Sequence, residues 1–228
     1  MALSTKIDYF DLDGSPLAIK GPTARGKTYA VNATGTNARG DVIARDLAGL
    51  RESPTVDYNV IAAGNITPDL GQVNTLSDVV YCLTRLEVKT SAGAPPIVTA
   101  GGESLQDDAT VSSTADLGSI ALSPRHKAQI LLEAFTLSGS GCNLTECSLT
   151  AGCTLTRATK DGETVAHDIS GANIVVSATV EQTGATAPTI AAATGWTITE
   201  PPTEEQADEG YTTWKFSVTK DLVTVEPV

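Results

Sequence analysis

The stretch Gly40-Asp41-Val42-Ile43-Ala44-Arg45-Asp46-Leu47-Ala48-Gly49 returns as Gly162-Glu163-Thr164-Val165-Ala166-His167-Asp168-Ile169-Ser170-Gly171, displaced by 122 residues at its first and last glycine alike. Both copies hold a Gly, an acid, β-branched residues, Ala, Asp, a Leu or Ile and a closing Gly, with Arg45 replaced by His167. Beyond the motif, Val56, Tyr58 and Val60 alternate with polar residues in one copy, and Ile174, Val176, Ala178 and Val180 in the other. That period of two is the signature of a half-buried strand. Before the motif, Tyr29, Val31 and Ala33 align with Ala151, Cys153 and Leu155 at the same displacement. Each half reads as strand, Gly-acid turn, short strand, Gly turn, strand. Two copies are too few to bury the continuous core of a solenoid. The expectation is an all-β chain of two similar β-sandwich or barrel-like units from an internal duplication, with little helix: residues 1–120 with an N-terminal arm, and residues 121–228.

A length of 228 residues lets each unit bury its own core without staples. Hydrophobic residues make up 41% and charged residues 18%, which excludes a disordered chain. Aromatics are only 4%, so Val, Ile, Leu and Ala must fill the interior. Fifteen basic residues stand against 27 acidic ones, a net charge of −12 that argues against gripping nucleic acid, because neutralising phosphates takes clustered Lys and Arg. Met1 to Asp8 holds no apolar core of a leader, and no apolar run reaches about 18 residues. The expectation is a soluble protein made in the cytosol, with Cys82, Cys142, Cys147 and Cys153 reduced.

Residues 3–20 read as a hairpin or arm around Asp13-Gly14-Ser15-Pro16. Val79 to Val88 reads as a long strand, with a short helix over Thr75 to Leu83 as the competing assignment. A return strand over Ile97 to Ala100 follows, with Pro95 and Pro96 in the turn between. Gln106 to Ser119 is the candidate junction between halves, and residues 128–137 fit a strand buried on both faces or a helix of about ten residues. Leu149, Ala151, Cys153 and Leu155 share one parity with Cys147, and Trp214, Phe216 and Val218 another inward one. The acidic stretch Thr199 to Gly210, with Pro201 and Pro202, reads as a solvated loop.

Four patterns invite chemistry, and each has a plainer reading. Gly21-Pro22-Thr23-Ala24-Arg25-Gly26-Lys27-Thr28 fits the phosphate-loop pattern, with Lys27 on the terminal phosphates and Thr28 on magnesium. A working phosphate loop must open a helix whose N–H groups face the phosphates. Here Tyr29 to Thr36 is β-patterned, so Lys27 is expected to face solvent or an interface. Cys142, Cys147 and Cys153 with His126 and His167 suggest zinc, but the spacing is wrong for a knuckle, and Cys147 and Cys153 share the apolar parity with Leu149 and Leu155. Cys147 and Cys153 are expected unbridged and buried on one face. His167, Asp168 and Ser170 resemble part of a hydrolytic triad, yet neighbours on a strand point to opposite faces, and a surface or turn position is expected for His167. Glu200 to Glu209 lacks the residue order of a calcium loop. The reading is therefore a non-enzyme with no catalytic, cofactor-binding or metal-binding residues.

An acidic, duplicated β chain rich in Thr, Ala, Gly and Val, with extended stretches such as Ser53 to Val60, Thr90 to Pro96 and Tyr211 to Lys220, resembles the virion structural proteins of tailed bacteriophages, most of all major tail tube proteins. The resemblance implies sandwich or barrel-like subunits joined edge to edge into stacked rings, with an acidic bore through which DNA slides. It further implies a virion component made in the bacterial cytoplasm, with other phage structural proteins as partners, no sequence-specific nucleic-acid binding and no membrane. The different-class alternative is a tandem Ig-like binding or adhesion module. Val56 to Ala62, Ile174 to Val180 and Trp214 to Val218 carry few charges and are the expected edges for pairing with another chain.

Overall fold

The structure is a computed structural model that describes residues 10, 12, 16–19, 24–36, 39, 42–76, 79–91, 94–105, 110–124, 134–139, 141–160, 163–183, 186–208 and 210–226. In chain order its strands are β1 (Leu17–Ile19), β2 (Ala24–Thr36), β3 (Val42–Val60), β4 (Gly64–Ile66), β5 (Asp69–Leu70), β6 (Val73–Leu76), β7 (Val79–Ser91) and β8 (Ala94–Ser104). They continue with β9 (Ala115–Asp116), β10 (Ile120–Leu122), β11 (Phe135–Ser138), β12 (Cys142–Lys160), β13 (Glu163–Thr183), β14 (Thr189–Ala192), β15 (Thr197–Asp208) and β16 (Tyr211–Asp221). The described chain is all-β and holds no helix.

Ten strands form one antiparallel sheet whose main path runs β1-β3-β8-β7-β12-β13-β16-β15, with β2 beside β3 and β6 beside β7. The β7–β12 pair, Glu87 opposite Thr150, carries the sheet across position 120, where the sequence suggests a boundary between units. Three two-stranded sheets, β4–β10, β5–β9 and β11–β14, complete the sandwich-like architecture. The core lies on one face of the large sheet and is continuous. It holds Val56 and Tyr58 from β3, Leu86 and Val88 from β7, Leu149 from β12, Val176 from β13 and Phe216 from β16. Ile66, Leu70, Ile120 and Phe135 enter it from the small sheets. Phe135 meets Phe216 edge-on at 4.8 Å, which ties β11 to the large sheet. Phe10 and Leu12 join the same core, where the Tyr58 hydroxyl accepts from the Phe10 N–H at 2.8 Å and donates to its carbonyl at 3.0 Å.

The alternation read from Val56-Tyr58-Val60, Ile174 to Val180 and Trp214-Phe216-Val218 sets the buried face, since all these residues are buried. Val79 opens the strand β7 and the short-helix alternative there does not form. Three expectations change. Pro95 and Pro96 lie inside β8 rather than in the turn, at its first residues, where the sheet tolerates a missing N–H. The stretch Thr199 to Gly210 is not a loop: β15 takes most of it, at the sheet edge. Its pairing with β16 shifts register between Ile198 and Glu200, Glu200 and Thr203, and Glu204 and Gln206, which is how an edge strand absorbs Pro201 and Pro202. The three segments expected at edges are interior, since β3, β13 and β16 each have partners on both sides. Low charge does not mark an edge in this sheet: these three strands are paired on both sides, while of the outer strands β2 and β15 carry charges and β1 carries none. Of residues 128–137, 128–133 lie outside the described residues, and Phe135–Ser138 is strand.

Two long hairpins stand out. In β2–β3 and β12–β13 the returning strand carries the repeated motif, with Arg45 opposite Thr34 and His167 opposite Arg157. Gly40 and Gly162 themselves lie outside the described residues. The row Thr55-Gly101-Arg85-Gly152-Asn173 crosses five strands of the sheet. From that row β3 continues back toward Val42 paired only with β2, and β12 continues toward Lys160 paired only with β13. Because β3 and β12 run antiparallel across two intervening strands, both ribbons leave the sheet at the same end. Ser104, at the end of β8, contacts both: its Oγ accepts from the Glu52 N–H at 2.9 Å and its carbonyl accepts from Arg157 Nη2 at 3.1 Å.

Candidate functional site

The face of the large sheet opposite the core is polar because the other parity of each strand is polar. One cross-strand row runs Lys89, Ser148, Ser177, Ser217 and Glu200, and the next runs Ser91, Glu146, Thr179, Lys215 and Thr203. Ser177 and Ser217 share a hydrogen bond between hydroxyls at 2.9 Å, and Ser217 donates to Glu200 Oε2 at 2.9 Å. Asp57 accepts from Thr99 at 2.7 Å on the same face. Both lysines are paired: Lys89 with Glu87 at 2.8 Å, and Lys215 with Glu205 at 2.8 Å. The Glu205 hydrogen bond holds the Lys215 ammonium above its usual pKa. The sheet hollows here into a groove of about 590 Å³, floored by Ser148, Ser177 and Ser217. It adjoins a hollow of about 520 Å³ flanked by Glu146, Glu181 and Glu205. Ala94, Pro95, Ile97 and Phe216 line the groove beside the serines, so it joins an apolar wall to a floor of hydroxyl groups, and the carboxylates flank the neighbouring hollow.

The phosphate-loop match divides at the start of β2. Gly21, Pro22 and Thr23 lie outside the described residues, while Ala24 to Thr28 are extended, with Lys27 opposite Glu52 and Thr28 opposite Arg51. A strand stands where the phosphate-binding helix would begin.

All four cysteines are free thiols. Cys147 is buried, but Cys153 is only half-buried, against the expectation that both sink into one face. The cause is the register shift between Gly152 and Thr154, a bulge that interrupts the parity of β12 and turns Cys153 toward the Thr84 carbonyl. Burial pushes the Cys82 thiol up to about 12, helped by Cys153 and Glu103, and burial then Glu103 do the same for Cys153. Among the described residues no three His, Cys, Asp or Glu side chains gather at metal-binding separations. His126 lies outside them.

His167 is fully buried, which corrects the surface position expected from its turn-like neighbours. A segment from elsewhere in the chain covers it: Val111 bridges to His167, and the Ser112 N–H donates to the His167 carbonyl at 2.8 Å. Asp168 faces the other way and is exposed, as strand alternation requires. Its Oδ1 accepts from the Ser113 hydroxyl and, at 2.8 Å, from the Ile169 N–H. Among the described residues the hydroxyl brought to Asp168 is therefore that of Ser113, not Ser170. The sequence signal of the groove is the polar parity of Ser148, of Ser177 and Thr179, and of Lys215 and Ser217. Comparison with protein-family models and with curated proteins finds no match to this chain.

Proposed function

We propose that this chain is a structural subunit that assembles with copies of itself into rings, in the manner of a tailed-bacteriophage tail tube protein, as a virion component made in the bacterial cytoplasm. The observation that carries the reading is the combination of one wide antiparallel sheet with two ribbons leaving it at the same end. A two-stranded ribbon with nothing packed on it is marginal in water; Val111 and Ser112 cover the β12–β13 ribbon at His167, and ribbons of this length gain further stability when a neighbour covers the rest. The hydroxyl and carboxylate face, with Asp57, Glu87, Glu146 and Glu181, suits an acidic bore, because its carboxylates repel phosphate. The repeated motif on the returning strand of each ribbon fits an internal duplication, in which each chain supplies two similar elements to the ring. Other phage structural proteins are the expected partners at the ends of such a tube. The role needs no catalytic residue, cofactor or metal.

Size exclusion with negative-stain microscopy of the purified chain tests the reading. Rings or tubes are expected. A chain that stays monomeric at high concentration overturns the assembly and favours the tandem binding module.

A further inference from the structure

Two outer strands of the large sheet, on opposite sides of it, carry opposite charge. At one side β2 holds Arg25 and Lys27 and no acid. The hairpin from Arg25 to Glu52 holds five basic residues, Arg25, Lys27, Arg39, Arg45 and Arg51, against Asp41, Asp46 and Glu52, in a chain whose net charge is −12. At the other side β15 holds Glu200, Glu204, Glu205 and Asp208 and no base. Among the described residues β2 pairs with β3 alone and β15 with β16 alone, so each strand has one ladder side without a strand partner.

We propose that the acidic β15 edge of one copy docks on the basic β2 edge of the next, a head-to-tail contact between two different surfaces. It rests on the self-assembly reading above and names the surfaces through which assembly proceeds. Charge decides the polarity: β15 against β15 and β2 against β2 both place like charges opposite one another, whereas β2 against β15 does not. Pro201 and Pro202 have no N–H to offer, so strand addition runs along Thr203 to Asp208, where Glu204 is exposed. A contact between unlike surfaces closes into a ring when its rotation allows and grows into a filament when it does not.

Charge reversal tests this. Arg25→Glu with Lys27→Glu makes both edges acidic, and Glu204→Lys with Asp208→Lys makes the docking stretch Thr203 to Asp208 net basic. Each double variant, with its fold checked by circular dichroism, is expected to need at least about tenfold more protein to assemble than the parent, the effect of a like-charge contact. An equimolar mixture of the two is expected to assemble again, because every contact in an alternating chain then joins opposite charges. A parent that never assembles overturns both the self-assembly reading and this contact. A parent that assembles while both variants assemble equally well overturns the contact alone, as does a mixture that fails to recover.

Discussion

Glu52 is a buried acid at the root of the β2–β3 ribbon, and what keeps it there is specific. Tyr81 on β7 donates its hydroxyl to Glu52 Oε2 at 2.7 Å, so the ribbon is fastened to the central strands by a polar bond inside an apolar region. Tyr81→Phe keeps the ring in the core but removes the donor, so the buried Glu52 carboxylate loses this hydrogen bond. A loss of about 1–3 kcal/mol is expected, read from denaturant midpoints at unchanged m-value. The thiols give a second residue-level outcome. With pKa values near 12, Cys82 and Cys153 stay protonated at neutral pH, and the protonated thiol is a poor nucleophile. Iodoacetamide at pH 8 is expected to spare both in the native chain and to label both after unfolding, as mass spectrometry would read. In the unfolded chain these thiols ionise near 9.0, below their folded values, so their contribution to stability is complete below pH 9 and is lost between pH 9 and about 12. Native-like labelling at pH 8 would mean the thiols are far less enclosed than the structure has them.

Among elements, β8 is tightly constrained at Gly102, where it passes directly beside its neighbours. A Cβ there would lie 2.5 Å from the Cys82 carbonyl oxygen and 2.7 Å from Phe10 Cζ. Backbone on one side and a buried ring on the other leave little room to give. Gly102→Ala is expected to destabilise by about 1–3 kcal/mol, whereas Gly152→Ala, where a Cβ finds its nearest heavy atom at 3.8 Å, should change thermal stability much less. The interior strands were legible because their apolar parity is strict: Val56, Tyr58 and Val60 could face the core only one way, and they do. β15 was not legible, because prolines and acids that mark a loop by composition are also what an edge strand carries. The burial of His167 could not be read from its neighbours, since the Val111–Ser112 segment that covers it is more than fifty residues away in the chain. The bulge at Cys153 was hidden for a related reason: parity counting presumes an uninterrupted strand.

At the scale of the molecule, the single core and the β7–β12 pair make the halves share one sheet. The motif that the sequence repeats lies on the returning strand of each long hairpin, in registers that differ by one residue, and nothing in a period-two pattern says which strands become neighbours. Strand order is decided by pairings far apart in the chain, such as Asp57 with Thr99 and Val88 with Leu149, and local alternation is blind to them. The ribbons themselves have a mechanical consequence. A strand advances about 3.3 Å per residue, so the part of β2 from Thr28 to Thr36 reaches about 30 Å. In a stack of rings, a projection of fixed length from one end of every subunit is a ruler, and it sets the spacing between layers by counting residues. Removing two residues from each strand of that ribbon preserves which side every later residue faces, and should shorten the axial repeat by about 7 Å in diffraction from the assembled tube. An unaltered repeat would mean that the layers take their spacing from the sheet body.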